Sequence, residues 1–454
     1  FMSTYISKLY LSFLKIYSFL LDYVRKLAIY NKKEIINTIF LFTEKFVRLI
    51  LLFSANVIMI RYLGPEEYGY FTYVTALIAM FAGVCTVGIS ETILREILKN
   101  KSRIHYLMIT SIFVTFTVSF IVAIIISFII FFKNENQSIL NLTYIGCVNL
   151  VLQSFGLLKQ WFNANVISKY IMISSIVGAV VSSILKILFV YVEAKVEFFA
   201  LTMLFDTIFS IIILAIFYFK LNRSNKNLFS FINIDIAKNL IKISWPFMFS
   251  VIINQWLIRI DQLMVGELAS FKDLGVYSAA TKINEMFFVL PVLLVTSFAP
   301  RIYMIFENKE HENNFKIILF IRLMVFFGTL IWFFFFIFGE LIMVLFFGEE
   351  FRMTAKYLNF LNIGLIIVLW GSLRPIYIRV NDLGVYNLFA LFIGTILNIF
   401  LNYIFIPLYG PIAACYSTIF CWFLINFVFD LFYLPARPMA ILQIQTLFKI
   451  RSAD

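Results

Sequence analysis

The sequence predicts an all-α integral membrane protein with about twelve transmembrane helices, arranged as two lobes of six helices each. Three observations predict it: an apolar composition, many long apolar runs and a weak internal repeat. Of the 454 residues, 62% are hydrophobic and 14% are charged, whereas a soluble domain is about half apolar and about a quarter charged. Such a composition is typical of chains embedded in lipid.

Twelve apolar runs are long enough to cross a bilayer core, which needs about 20 helical residues. The ninth run is longer than a span requires, which predicts a tilted helix or one that ends near Gly339. We place the runs at residues 38–60, 70–92, 106–132, 139–158, 170–191, 198–219, 243–265, 276–299, 317–347, 354–373, 385–406 and 412–434.

Lys and Arg residues are concentrated on one side of the predicted membrane. With the N-terminus placed inside, the cytoplasmic segments carry far more Lys and Arg than the outer loops. Such an excess sets the orientation of short loops, so both termini are predicted to be cytoplasmic. The net charge of +12 then reflects membrane topology, and we expect no nucleic-acid partner.

The polar segment near the middle of the chain is the longest connection, and we interpret it as a linker between the lobes. The N-terminal segment places apolar residues at helical spacing among charged ones, which favours an amphipathic helix on the inner leaflet. The predicted order is an N-terminal cytoplasmic or interfacial segment (1–37), a first lobe (38–219), a cytoplasmic linker (220–242), a second lobe (243–434) and a cytoplasmic tail (435–454).

Two shifts superimpose parts of the second half on the first. A shift of 206 residues, the difference between Gly275 and Gly69, also places Asp273 on Glu67. A shift of 216 places three residues of the eleventh run on three of the fifth: Gly394 on Gly178, Asn398 on Ser182 and Asn402 on Lys186. Six spans in each half make this a parallel repeat, whose halves can rock about a site between them.

Polar side chains recur on one face of several predicted spans. A charge at the bilayer centre costs about 2.5–3.5 kcal/mol on insertion scales, so such residues usually face a cavity or a partner. Arg suits phosphate oxygens, and amides suit sugar hydroxyls. The substrate-contact candidates are Arg48, Arg259, Lys186, Lys282, Gln255, Gln262, Asn398, Asn402 and Gln153.

Four carboxylates in the spans are candidates for ion coupling: Glu44, Asp206, Asp261 and Glu285. Glu44 and Arg48 are four residues apart, a spacing that allows them to pair on one helix face. A cavity with both signs of charge suits a phosphorylated, hydroxyl-rich solute such as a sugar phosphate. Alternatively, the carboxylates are proton or cation sites for coupling, and the residue types alone do not choose between the two.

Several chemistries lack their usual sequence signals. The phosphate-loop pattern of nucleotide hydrolases does not occur, and no His, Cys, Asp or Glu cluster has metal-ligand spacing. The four cysteines lie within apolar runs and read as small core residues. We therefore predict no cofactor, no metal and no catalytic residues.

The stretch LFTEKFVRLILLFSANVIMIRYLGPEEYGYFTYVTALIAMF (41–81) resembles the opening of the Wzx-type polysaccharide flippases, which translocate O-antigen and capsule repeat units. The turn RYLGPEEYG (61–69) is the most specific part. GELASFKDLGVYSAATKINE (266–285) resembles the matching start of the family's second half. The family belongs to the multidrug/oligosaccharidyl-lipid/polysaccharide exporter superfamily, so the resemblance implies the MATE-like inverted-V transporter fold.

The resemblance further implies a substrate and a location. The substrate would be an undecaprenyl-pyrophosphate-linked oligosaccharide, moved from the inner to the outer leaflet of the bacterial plasma membrane by alternating access with ion coupling. Arg48 and Arg259 are then the strongest candidates for contact with the pyrophosphate or with an anionic sugar. Membrane lipids, the polysaccharide polymerase and the chain-length machinery are the implied partners.

Two other functions compete with this interpretation. A drug or metabolite/cation antiporter of the same fold would share the repeat and the buried acids, but the YLGPEEYG turn favours the flippase. A membrane polymerase or glycosyltransferase would act on the same lipid-linked sugars. Such enzymes typically need a sizeable outer loop, and the predicted outer loops here are short, so we predict a transporter and not an enzyme.

Overall fold

The computed structural model describes residues 32–100, 103–133, 136–222, 231–307 and 314–448. These residues form sixteen α-helices with short 3₁₀ and π turns, and no strand occurs among them. The helices are α1 (Lys32–Cys85), α2 (Ile89–Lys99), α3 (Ile104–Phe132), α4 (Gln137–Gln153), α5 (Leu158–Ala164), α6 (Lys169–Tyr191), α7 (Val196–Leu221), α8 (Ile234–Leu268), α9 (Phe271–Glu307), α10 (Asn314–Phe347), α11 (Thr354–Trp370), α12 (Arg374–Val380), α13 (Gly384–Tyr409), α14 (Pro411–Phe423), α15 (Phe429–Phe432) and α16 (Arg437–Phe448).

The helices cover most of every one of the twelve predicted spans. Ten described segments are long and apolar enough to cross a membrane, and the first of them, Ile36–Cys85, contains the first predicted span and most of the second, which continues past a turn into α2. Helix α9 contains the eighth. The ninth runs through Gly339 without a break, as a helix of 34 residues. The prediction of an all-α membrane protein is confirmed.

Helix α1 bends sharply where its two spans meet. Gly64 has φ 71 and ψ 177, a backbone conformation that residues other than glycine rarely adopt. Pro65 follows and begins the second arm, as proline favours a first helical turn. Glu66 and Glu67 are exposed at the bend. The Gly-Pro pair therefore turns the chain without a loop, and the charged residues contact solvent.

The Gly64–Pro65 bend lies at one end of the molecule, and we call this end the predicted outer face. The two halves pack against each other there. A large apolar cluster there includes Leu63 and Tyr68 from the first half with Leu274, Tyr277 and Phe347 from the second. Toward the opposite face the clusters separate. One lies mainly in α2, α3, α5, α6 and α7, and another in α9, α10, α12 and α16. Two lobes joined at one face form the predicted inverted V.

Helix α8 begins earlier than the predicted lobe boundary at residue 243. Asn233 accepts a hydrogen bond from the backbone N–H of Ile236 at 3.0 Å, which satisfies one free donor of the first turn. The first turns of α8 then pack on the first half, where the Ser244 and Thr92 hydroxyl oxygens lie 2.5 Å apart. The helix thus crosses from one lobe to the other.

Gly178 and Gly394, which the shift of 216 residues relates, both lie where two helices pack closely. A Cβ added to Gly178 of α6 would overlap Asp206 and Ser210 of α7, and a Cβ added to Gly394 would overlap the Ile425 side chain. Glycine permits close helix approach in membranes because it has no side chain. Both halves therefore use the same small residue at the same helix crossing.

The predicted tail is part of the second lobe up to Phe448. Helix α16 packs beside Trp370, whose indole nitrogen donates to the Thr446 hydroxyl at 3.0 Å. Arg322 donates to the Thr446 carbonyl at 2.8 Å and so satisfies a carbonyl at the end of the helix. Residues 1–31, 223–230 and 449–454 lie outside the described residues, and with them most of the predicted amphipathic segment and part of the linker.

A buried ion pair, absent from the sequence-based prediction, links helices of this lobe at the end away from the predicted outer face. Arg374 Nε lies 2.8 Å from Asp430 Oδ2, with 5% and 1% of the two side chains exposed. Arg374 also donates to the Asn387 amide oxygen at 2.6 Å, and the Tyr386 hydroxyl donates to Asp430 at 2.8 Å. The pair joins the end of the tenth predicted span to the twelfth.

We predict that Asp430→Asn destabilises the protein strongly. It would leave the Arg374 charge buried without its partner, and breaking a buried ion pair typically costs about 3–5 kcal/mol. Glu349→Gln is the matched control, because Glu349 pairs with Arg352 at an exposed site and such pairs contribute about 0–1 kcal/mol. Thermal unfolding in detergent measures both variants, and equal melting temperatures would contradict the prediction.

Candidate functional site

A polar cavity of about 370 Å³ lies between the two lobes. Helices α1, α4, α6 and α7 of the first half line it together with α8 and α9 of the second. Four basic and two acidic side chains line the cavity, a surplus of two positive charges: Arg48, Lys186, Arg259, Lys282, Asp206 and Glu285. All six are among the residues that the sequence predicts for substrate contact or ion coupling.

Arg48 is held by Asp206 within the first lobe. Its two terminal nitrogens lie 3.1 and 2.5 Å from the two carboxylate oxygens of Asp206, a bidentate geometry that suits the planar guanidinium. Nη1 also donates to the Ser175 carbonyl at 3.0 Å. Arg48 therefore pairs with Asp206 and not with Glu44, the local partner that the helical spacing allows. Glu44, one turn away, lies outside the cavity lining.

Arg259 is held by Glu285 within the second lobe. Nη1 lies 2.6 Å from Glu285 Oε1 and 3.4 Å from Gln262 Oε1. The Nε atom is buried and has no hydrogen-bond partner within the described part of the chain. Both arginines are thus neutralised by a carboxylate of their own lobe, and Arg259 keeps a free donor.

The two lysines carry the charge surplus of the cavity. Lys186 is 5% exposed, and its ammonium donates to Asn56 Oδ1 at 2.8 Å. Among the described residues, no carboxylate pairs with Lys186 or with Lys282. An unpaired ammonium inside a membrane requires water or an anion. The cavity therefore favours an anionic ligand.

Neutral hydrogen-bonding residues complete the cavity, and the sequence-based prediction missed most of them. Six of them form pairs in which one residue lies 206 positions after the other, one in each lobe. The internal repeat was therefore the sequence signal that could have identified them. The pairs are Asn56 with Gln262, Thr72 with Ser278, and Thr75 with Thr281.

Gln153 lines this cavity, whereas Gln255 lines a smaller one that adjoins it. The smaller cavity has a volume of about 170 Å³ and shares Asn149, Gln153 and Thr75 with the polar cavity. Mostly apolar residues line the rest of it. Gln255 thus lies beside the predicted site and not in its charged part.

Asn398 and Asn402 do not line the cavity, which differs from their predicted role in substrate contact. Both are fully buried beside Asp261 in the second lobe. Asn402 donates to Asp261 at 2.7 Å, Tyr277 donates at 3.3 Å, and the Thr418 hydroxyl also donates. The described residues offer Asp261 no cationic partner.

Two protein-family models match this chain. The model of the polysaccharide biosynthesis protein family matches residues 35–306, more than half of the chain, and the MatE model matches residues 246–404. The chain belongs to the polysaccharide biosynthesis protein family. The resemblance to Wzx-type members of the exporter superfamily is thereby confirmed.

The proteins similar to this chain include transporters and a flippase. A putative O-antigen transporter from Shigella flexneri is 22% identical over 382 residues, which cover 79% of this chain and 87% of the relative. The inward-facing structure of a multidrug resistance MATE family transporter superimposes with a TM-score of 0.66 at 14% identity, covering 89% of this chain and 99% of that one. The lipid II flippase MurJ, in an inward closed conformation, gives 0.66 at 14% identity, covering 92% and 94%.

These matches place the chain among multi-pass membrane transporters of one fold and point to a transporter rather than a catalytic enzyme. The structural similarity, at 14% identity, shows the fold alone. Which molecule the cavity binds has to be argued from the cavity itself.

We predict that Gly178→Ala disturbs the Arg48–Asp206 pair. The added Cβ would lie 2.5 Å from Asp206 Oδ1 and 2.6 Å from its carbonyl oxygen, and overpacking of this kind costs about 1–3 kcal/mol. Gly156→Ala is the control, because nothing lies within 4 Å of its added Cβ. Thermal unfolding should separate the two variants. An unchanged melting temperature for Gly178→Ala would show that α6 and α7 are not in close contact.

Proposed function

We propose that the protein moves undecaprenyl-pyrophosphate-linked oligosaccharide repeat units from the inner to the outer leaflet of a bacterial plasma membrane. The observation that carries the proposal is the charge surplus of the polar cavity between two lobes of this family's fold. The pyrophosphate and sugars would occupy the cavity, and the polyprenyl chain would stay in lipid.

Lys186 and Lys282 would attract the pyrophosphate more strongly than Arg48 and Arg259 do. A carboxylate already neutralises each arginine, whereas Lys186 and Lys282 contribute uncompensated charge. Each phosphate of a pyrophosphate diester carries one negative charge, and charge-assisted hydrogen bonds to phosphate are strong. Arg48 and Arg259 then act as further donors, which can exchange a carboxylate oxygen for a phosphate oxygen.

The hydroxyl and amide groups around the charges fit a sugar. Thr72, Thr75 and Gln262 line the cavity together with Ser278 and Thr281. Hydroxyls and amides both donate and accept hydrogen bonds, as sugar hydroxyls do. The same set does not select among sugars, because any hydroxyl-rich ring can satisfy it.

The lobes provide a path for alternating access. They share an apolar cluster at the predicted outer face and have separate clusters toward the other face. With both termini cytoplasmic, as the charge distribution predicts, the separated ends face the cytoplasm. Rocking of the lobes would then expose the cavity outside. Association with the polymerase and chain-length machinery stays a prediction.

The alternative, a drug or metabolite/cation antiporter, shares the fold and the MatE match. The net positive charge of the cavity argues against a cationic drug, which two unpaired ammonium groups would repel. Transport of lipid-linked oligosaccharide in proteoliposomes is the decisive test. Efflux of a cationic drug without flipping of any such lipid would overturn the proposal.

Asp261 is the ion-coupling residue that the geometry favours. A carboxylate buried away from water is costly unless a proton or a cation neutralises it. The Asn402 amide oxygen is buried without a partner in the described part of the chain, and the Thr418 hydroxyl is adjacent. These oxygens suit a hard monovalent cation. Asp206 and Glu285 already pair with arginines and would couple only by releasing them.

We predict that Lys186→Ala and Lys282→Ala each slow flipping of lipid-linked oligosaccharide by about 10- to 100-fold. The reason is the loss of a charge-assisted contact of about 1.5–3 kcal/mol. Lys282→Arg should retain most activity because it keeps the charge. Lys238→Ala, at an exposed lysine of α8, is the control. Wild-type flipping by both alanine variants, at equal protein levels, would remove the lysines from the site.

We predict that Asp261→Asn removes stimulation of transport by an ion gradient, because a neutral amide cannot exchange a proton or attract a cation. Proteoliposomes with and without an imposed proton or sodium gradient measure this difference. Asp235→Asn, at an exposed acid in the first turn of α8, should keep the stimulation. If Asp261→Asn responds to the gradient as the wild type does, coupling occurs elsewhere.

A further inference from the structure

The two lobes contact each other at the predicted outer face through two reciprocal glycine contacts. A Cβ added to Gly69 would overlap the carbonyl of Phe271, and a Cβ added to Gly275 would overlap the carbonyl of Pro65. The shift of 206 residues relates Gly69 to Gly275 and Pro65 to Phe271. The same contact is thus made twice, as in a two-fold symmetric interface.

A second pair of contacts follows the same symmetry. The shift of 206 also relates Arg61 to Glu267, near the outer ends of the first span of each lobe. Arg61 donates to the Leu345 carbonyl of the other lobe at 3.3 Å. Glu267 pairs with Lys133 of the other lobe and accepts from the Tyr73 hydroxyl. Each lobe therefore extends one charged side chain to the end of the other lobe's third span.

The glycine and polar contacts differ in what they contribute. Lys133 and Glu267 are 40% and 38% exposed, and ion pairs this exposed are weak, so they can break and re-form. The glycine contacts are steric. Backbone meets backbone there, and no rotamer change can make room for a side chain. The glycines set how closely the lobes approach, and the ion pair adds a reversible attraction.

We propose that these contacts form the outer gate of the transporter: Gly69 and Gly275 permit the closed state, and the Glu267–Lys133 pair latches it. Opening outward then separates both glycine contacts together, because the symmetry places them on either side of one axis. The proposal rests on transport by the two-lobe fold but not on the identity of the substrate. It concerns the balance between closed and open states in the absence of substrate.

The test places one reporter cysteine, Thr75→Cys, in the cavity of a variant whose four buried native cysteines are replaced. A membrane-impermeant thiol reagent added from the outside measures how often the gate opens. Gly69→Ala and Gly275→Ala should each speed labelling by about tenfold or more, because the methyl group prevents closure.

Two glycine controls separate gate opening from general damage. Gly384→Ala adds its Cβ to open space, and Gly394→Ala crowds Ile425 inside one lobe, so neither should speed labelling. Wild-type labelling rates for both gate variants, or an equal increase for Gly394→Ala, would overturn the proposal.

A charge exchange keeps the test valid if the glycine variants do not fold. Glu267→Lys and Lys133→Glu should each speed labelling, because like charges then face each other. The double exchange should restore the wild-type rate, since the Tyr73 hydroxyl can accept from Lys as well as donate to Glu. If the double variant labels as fast as the single variants, no latch exists. No substrate is present in the assay, so its failure is distinguishable from failure to flip lipid-linked oligosaccharide.

Discussion

A charged side chain within a bilayer needs an ionic partner, a hydrogen-bonded partner or water, and this constraint organises the interior of the protein. The two arginines meet it with a carboxylate from their own lobe: Arg48 with Asp206, and Arg259 with Glu285. Because each pair lies within one lobe, the proposed rocking of the lobes would not separate either pair. The contacts between lobes at the predicted outer face are apolar, steric or exposed, and these are cheaper to break.

The two halves share a plan but have diverged in chemistry. Asn56 and Gln262 occupy equivalent positions in the cavity wall. Lys186 and Asn402, which the shift of 216 residues relates, differ because only Lys186 lines the cavity. The lysine contributes charge to the cavity, while the asparagine turns to the buried Asp261. The first half thus places a charged side chain in the cavity, where the second half places a neutral one against a buried carboxylate.

Most of the fold was readable from the sequence because it follows from local rules. Each span is an apolar run of sufficient length, and the Gly64–Pro65 bend follows from backbone preferences that act within a few residues. The charged cavity residues were also identifiable, since a charge in a span has few alternatives to a cavity. Helical spacing also allowed a local Glu44–Arg48 pair, but Asp206, on another helix, offers Arg48 a bidentate partner.

The sequence by itself determined that the chain is a helical membrane protein with basic residues in its spans, and it predicted an internal repeat. The tertiary structure alone decided which of these charges are already neutralised, so that the surplus falls on Lys186 and Lys282. It also decided that Asn398 and Asn402 belong to Asp261 and not to the cavity. Helical periodicity gives the face on which a residue lies, but the partner across that face depends on how separate helices pack.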